Sequence, residues 1–384
     1  MLTEAKALAA QLGDTELQAE AMAWRVPAFV ATADIASARN EVAALREIAI
    51  ATKQPFILHA AEHYGAAIAL ADGRLAAAEA MAHRSEEAGR LLTGRDASGT
   101  YGIQMFSIRR EQGRLGELAP VIRILAASGR KDGPWRPGLV SLLVELGMET
   151  EARRELAQIA SEGVEALRES LWLASLAYIT DACTSLDDQA TAALIYPELA
   201  PLEGTNVMIG HLVAHYGAVD RYLGMLATTL GDWDRAERHF DCATTLNREM
   251  QAMTWVAHTK YEYARMTRLR NPSDRAKAAR LLAEADELAS AIGMTALHNR
   301  IRTLGGAGVT APGIPDGLSA REAQILRLVA QGLSNREVGA TLLISEHTAA
   351  NHIRSILRKT GCANRTEAAS YAHRHALVEA QTAS

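Results

Sequence analysis

From residue 1 to 304 apolar side chains recur at three- and four-residue spacings, the period that gathers them on one side of an α-helix. Residues 276–292 (AKAARLLAEADELASAI) show this plainly, with Ala278, Leu281, Leu282, Ala285, Leu288, Ala289 and Ile292 on one stripe. Ala, Leu, Glu and Arg, all good helix formers, dominate the stretch. Alternating β-branched runs are missing, so no sheet is expected. Folds built on parallel strands, such as a Rossmann or phosphoacceptor receiver domain, are thereby excluded. The pattern predicts an all-α chain.

The helices are punctuated at regular intervals. Small or polar turns fall at Asp34, Gly73, Gly113, Gly147, Asp187, Gly231 and Asn271, separated by 39, 40, 34, 40, 44 and 40 residues. A period of about 40 residues with two helices per unit is the mark of an α-solenoid. Glycine suits such turns because it takes the left-handed conformation at a helix end cheaply. The pattern resembles a degenerate tetratricopeptide-type (TPR-like) array, with helices longer than its roughly 34-residue standard allows. A plain helical bundle is the competing arrangement, and the even spacing of the turns argues against it. A solenoid presents an extended surface, which implies an effector or protein partner that no residue identifies. The bulky residues Tyr222, Trp233, Phe240, Trp255, Tyr261 and Tyr263 gather in the last repeats, where tighter packing explains them better than a binding surface.

Past residue 304 the pattern changes. Residues 305–317 (GGAGVTAPGIPDG) hold five glycines and two prolines, cannot continue a helix, and read as a linker. Ser319 and Glu322 then frame a capping box that opens a helix through Ala330, with Ala323, Ile325, Leu326 and Val329 as its apolar stripe and Gly332 as its end. Ser334 and Glu337 frame a second box, opening a short helix to Leu342. Ser345 starts a third helix over 346–359, stopped by Gly361, and Asn364 caps a fourth reaching Ala376. Two short helices separated by Leu343, Ile344 and Ser345 have the spacing of a helix-turn-helix.

The third helix has two faces. Ala349, Ile353, Ile356 and Leu357 form an inward stripe, while His347, Thr348, Ala350, Asn351, Arg354, Ser355 and Arg358 point elsewhere. A polar and basic outer face fits a major groove, with Arg354 matched to a guanine edge and Asn351 to an adenine edge. Thr348, Arg358 and Lys359 suit phosphates. Asn335, Arg336 and His347 complete the expected DNA-binding set.

Charge follows the same division. From Leu318 onward eight Lys/Arg face five Asp/Glu, giving +3; the whole chain carries 40 basic and 45 acidic residues, so residues 1–317 keep 32 and 40, or −8. Such asymmetry implies different partners for the two parts. Aromatic residues are only 5% of the chain, as expected where Ala and Leu fill a core layer by layer. Cys183, Cys242 and Cys362 lie far apart and form no CxxC, so neither a disulfide framework nor a cysteine-rich zinc site is expected. No apolar run reaches the ~18 residues of a membrane helix, and the start MLTEAKALAAQLGD is no signal peptide. A cytoplasmic chain without membrane contact is expected.

Catalytic signatures are sparse. GxxxxGK[ST], GxSxG and HExxH are absent. His59, Glu62 and His63 fit H-x-x-E-H, which on a helix sets two imidazoles one turn apart beside a general base. Nothing nearby offers the third ligand that a catalytic zinc needs. His211 and His215 form a second pair at i, i+4, with no glutamate between them. Both pairs read as structural histidines, so no catalytic residue, metal or cofactor is expected.

The residues of the tail amount to a family resemblance. Leu318–Leu377 resembles the LuxR-type helix-turn-helix of bacterial transcription regulators. The resemblance rests on Leu318, Ser319, Arg321, Glu322, Ile325, Leu326 and the run from Gly332 to Val338 (GLSNREV). It continues through Leu342, Ile344, Ser345, Thr348, His352, Ile356, Lys359, Gly361 and the run from Asn364 to Ala368 (NRTEA). It implies a four-helix domain that reads double-stranded DNA with its third helix and pairs as a homodimer through its fourth. Ala349 and Ala350 stand where the family usually has Val and Lys, so one expected DNA contact is missing and an altered sequence preference follows. Gly339 and Thr360 replace a usual alanine and leucine. Residues 222–240 and 257–265 also resemble the repeat region of large LuxR-type regulators, which carry an ATPase ahead of the repeats; the resemblance implies that this sequence starts within that region, either as a short family member or as the C-terminal part of a longer regulator. The expected molecule is a transcription regulator with a helical sensor over 1–304, a linker over 305–317 and a DNA reader over 318–384. A protein-interaction scaffold carrying a vestigial DNA domain is the alternative.

Overall fold

The computed structural model describes residues 1–92, 97–118, 136–168, 171–305, 318, 320–342, 346–375 and 377. Among them are nineteen α-helices, three short 3-10 turns and one two-stranded hairpin, so the chain is all-α. It divides into two compact units, Met1–Ile301 and Arg302–Ser384. No helix among the described residues is long and apolar enough to cross a membrane. Of the expected linker, only Gly305 lies within the described residues.

The first unit is largely a succession of helix hairpins, most helices packing on a sequence neighbour. The expected turns are where the chain reverses. Gly73, Gly113, Gly147, Asp187 and Gly231 all take left-handed conformations, with φ of 88°, 69°, 71°, 53° and 76°. At the first turn the left-handed residue is Ala33 (φ 61°), and Asp34 instead caps the next helix, accepting from the Ser37 amide at 3.1 Å. Asp14, Asp188 and Asp232 cap in the same way, through the amides of Leu17, Thr191 and Arg235. Asn271 stays extended at φ −148°. At Gly73 two demands coincide, since a Cβ there would lie 2.6 Å from the Ile292 side chain.

Contacts in this unit reach beyond neighbouring repeats. Thr254 Oγ1 donates to Leu70 O at 2.7 Å, and His258 Nε2 lies 2.8 Å from Glu111 Oε2. A charged network joins them, running from the surface inward: Arg110 donates to exposed Glu145 and to buried Asp181, both at 2.9 Å, and buried Arg221 lies over the rings of Tyr222 and Trp255. Tyr222, Phe240, Trp255 and Tyr263 are buried, so most of the bulky residues of the last repeats do serve packing.

One element departs from the sequence pattern. Asn206–Ile209 and Ala214–Ala218 form an antiparallel hairpin, with Met208 opposite His215 and Ile209 opposite Ala214. Glycines at 204, 210 and 217, all with positive φ, interrupt any helical run here. The strands are too short for alternation to show, and the second is buried along its whole length. At Gly217 a Cβ would meet Trp255 at 2.6 Å, so only glycine lets the strand approach that ring.

The hairpin is held from several sides. Asn206 Nδ2 donates to Val30 O at 3.2 Å, and Gln104 Nε2 to Val213 O at 3.0 Å. The Ala218 amide donates to Asn247 Oδ1 at 2.9 Å, and Trp255 Nε1 to His215 O at 2.8 Å. His211 and His215 therefore sit on a turn and a strand, not one helical turn apart.

His59, Glu62 and His63 do share the Pro55–Asp72 helix, but their side chains go to different partners. Glu62 accepts from Arg46 at 2.9 Å and Arg84 at 2.8 Å. His59 Nδ1 lies 2.9 Å from Ser85 O, and His63 Nε2 lies 3.0 Å from Leu212 O. Burial, with the neighbouring His59, pushes His63 down to about 3. No third metal-ligating side chain joins the two imidazoles among the described residues.

Candidate nucleic-acid interface

The second unit is built on four helices, Ala320–Ala330, Asn335–Leu342, Glu346–Thr360 and Arg365–Arg374. Local sequence explains their ends. The Ser334 amide donates to Glu337 Oε2 at 2.7 Å and the Glu337 amide to Ser334 Oγ at 3.3 Å, a reciprocal capping box. Those bonds to Ser334 hold the Glu337 carboxyl below the usual carboxylate range. Asn364 caps the last helix through the Glu367 amide at 2.9 Å. Ser319 and Ser345, the other two expected caps, lie outside the described residues.

The core of this unit follows the apolar stripes. Ala323, Ile325, Leu326 and Val329 of the first helix are buried, as are Ala349, Ile353 and Ile356 of the third. Leu357 is half-buried. Asn335–Leu342 packs on Glu346–Thr360 as the two limbs of a helix-turn-helix.

The opposite face of the third helix carries the candidate contacts. Asn351, Arg354 and Arg358, at i, i+3 and i+7, are exposed on one face, and Arg336 is exposed at the start of the second helix. None of these four makes a hydrogen bond or ion pair to another described residue, so their donors are available to a partner. The side chains of His347 and Thr348 lie outside the described residues.

Two residues of the expected set hold the domain together. Lys359 Nζ lies 2.7 Å from Glu322 Oε2, and Ser355 Oγ donates to Glu322 Oε1 at 2.8 Å. Glu322 itself is 5% exposed, so this carboxylate is an interior anchor between first and third helices. Asn335 Oδ1 accepts from Arg365 Nη1 at 2.8 Å, and Arg365 Nη2 also donates to Leu333 O. Helical spacing marks Lys359 and Asn335 as polar and outward; it says nothing of partners 37 and 30 positions away.

Comparison with known proteins agrees with this geometry. Residues 316–372 match the model of bacterial regulatory proteins of the luxR family. Over 63 residues the chain is 46% identical to the transcriptional regulatory protein LiaR of Bacillus subtilis, covering 16% of this chain and 30% of that protein. A nitrate/nitrite response regulator protein homolog of Haemophilus influenzae is 47% identical over 53 residues, 14% of this chain and 26% of its own length. The transcriptional regulatory protein DegU of Brevibacillus brevis is 45% identical over 51 residues, 13% and 22% of the two chains. The chain thus spans less than a third of the length of each of these relatives.

Proposed function

Because its C-terminal region is a LuxR-family helix-turn-helix domain, we propose that this chain is a transcription regulator that reads double-stranded DNA. The observation that carries the reading is the exposed face of Asn351, Arg354 and Arg358 on the second limb of the helix-turn-helix, which pairs with no other side chain among the described residues. Arg354 and Asn351 meet base edges, Arg358 and Thr348 meet phosphates, and Arg336 and His347 flank them. Lys359 and Asn335 act chiefly by holding the helices that present this face.

In this reading the TPR-like helical unit, 1–304, receives an effector or protein signal, and residues 305–317 connect it to the reader over 318–384. Signal occupancy shifts the population toward a form in which the reader is free to pair as a homodimer on two half-sites. The chain acts without catalysis or cofactor, in the cytoplasm.

The test is selection of bound sequences from random DNA with the full chain and with Arg354→Ala. Enrichment of one motif by the wild type, blurred in the variant, supports the reading. Equal binding to all sequences, falling steeply with salt, would leave only phosphate attraction and overturn it.

A further inference from the structure

Buried carboxylates in the first unit are generally matched with arginine: Asp181 with Arg110, Glu62 with Arg46 and Arg84. Asp220 is an exception. It opens the Val219–Thr229 helix, is 1% exposed, and pairs with no Lys or Arg among the described residues. Its Oδ2 accepts from the Gly204 amide at 2.8 Å, and its Oδ1 lies 2.7 Å from His239 Nδ1. A second carboxylate oxygen, Glu203 Oε1, lies 3.9 Å from the same nitrogen. One ligand atom from each of the three residues falls within 4.8 Å of the others. With a neutral imidazole the cluster carries two negative charges and no fixed positive one.

We propose that Glu203, Asp220 and His239 form a binding site for a divalent transition-metal ion of the zinc type. A buried charge needs a partner, and here a dication supplies it. One imidazole and two carboxylates are a donor set that zinc accepts, with a fourth position left for water. Metal bonds of about 2.0–2.2 Å in a tetrahedron set ligand atoms roughly 3.3 Å apart, between the two separations found here. Glu203, whose side chain is 61% exposed, swings in from 3.9 Å, and the Asp220–His239 pair opens from 2.7 Å as the metal replaces the proton between them.

The imidazole is also oriented for the task. Its other nitrogen, Nε2, lies 2.9 Å from the Tyr196 hydroxyl. In the metal-free state Nδ1–H donates to Asp220. When a metal takes Nδ1, the ring proton moves to Nε2 and is donated to Tyr196 Oη, the outer bond that ligating histidines commonly make. Cys242, one turn further along the same helix, feels the same field: burial and the Asp220, Glu203 and Asp241 carboxylates push its thiol up. The three ligands are separated by 17 and 19 positions and lie on a loop and two helices, so no short motif announces them.

This inference concerns the first unit alone and is independent of DNA binding. Its test is calorimetric titration of chelator-stripped full chain with zinc sulfate, with magnesium sulfate as a hard-cation control. One equivalent of zinc should bind and raise the melting temperature, and magnesium should not compete. Glu203→Gln, at an exposed position that leaves the fold intact, should weaken zinc at least about tenfold, as loss of a ligand or its support does. His239→Gln, with folding checked by circular dichroism, should abolish the stoichiometric binding. Absence of one-equivalent binding in the wild type, or wild-type affinity in either variant, overturns the site.

Discussion

Lys359 Nζ lies 2.7 Å from the buried Oε2 of Glu322, so the last cation of the third helix is turned back onto the first helix of its own unit. Glu322→Ala should therefore destabilise the second unit by about 1–3 kcal/mol, because Ser355 and Lys359 both lose their acceptor. Amide exchange over residues 320–375 of the full chain should accelerate while residues 1–301 stay unchanged. Uniform exchange in both units would contradict the anchoring role.

Arg354 and Arg358 share a face but should differ in effect. Arg354→Ala should cost about 1–3 kcal/mol on the preferred sequence and relax discrimination, whereas Arg358→Ala should weaken all sequences alike and lower the salt slope by about one. Titrations against preferred and scrambled duplexes at several salt concentrations separate the two. Lys359→Ala should alter that slope less than Arg358→Ala does.

Acid should loosen the first unit through its buried histidines. Burial, with His59 nearby, pushes His63 down to about 3, and burial pushes His215 down to about 4. Both stay neutral in the fold, while in the unfolded chain each takes up a proton near pH 6.5. The stability that rests on neutrality is complete above pH 6.5 and is lost as pH falls toward the folded values. At pH 5 each histidine should subtract roughly 2 kcal/mol. Melting temperatures from pH 7.5 to 5 should fall, and His63→Gln, which can still donate to Leu212 O, should flatten the fall. An unchanged slope in that variant would refute the assignment.

Two glycines with similar φ should respond differently to alanine. Gly147, at φ 71°, has open space around it, so Gly147→Ala should cost only the left-handed strain of about 1–2 kcal/mol. Gly217, at φ 76°, would put its new methyl 2.6 Å from Trp255 and 2.9 Å from Asn247 Oδ1. Gly217→Ala should cost about 3 kcal/mol or more, adding overpacking to strain. Urea midpoints followed by tryptophan fluorescence compare the pair directly.

What the sequence reveals about this molecule depends on distance along the chain. The Ser334–Glu337 box spans three positions, and the turns at Gly73 and Gly147 need only one residue each; both were legible as patterns. So were the inward stripe at Ala349, Ile353 and Ile356 and the outward Asn351, Arg354 and Arg358. Glu322 reads as a cap residue because Ser319 stands three positions before it, and that spacing carries no trace of its bonds to Ser355 and Lys359, 33 and 37 positions on. His211 and His215 look like a helical pair because spacing alone cannot distinguish a turn and strand from a helix. Asp220 and His239 meet across a helix hairpin, where no periodicity links them.

The hairpin at 206–218 changes how the helical unit must fold. An array whose repeats touch only their neighbours can unravel from either end, one repeat at a time. Here one short ribbon accepts from or donates to Val30, His63, Gln104, Asn247 and Trp255. Unravelling a repeat near residue 30 or near residue 255 strips buried polar partners from the same few residues. The unit is thereby bolted through its middle and should lose structure in one concerted step.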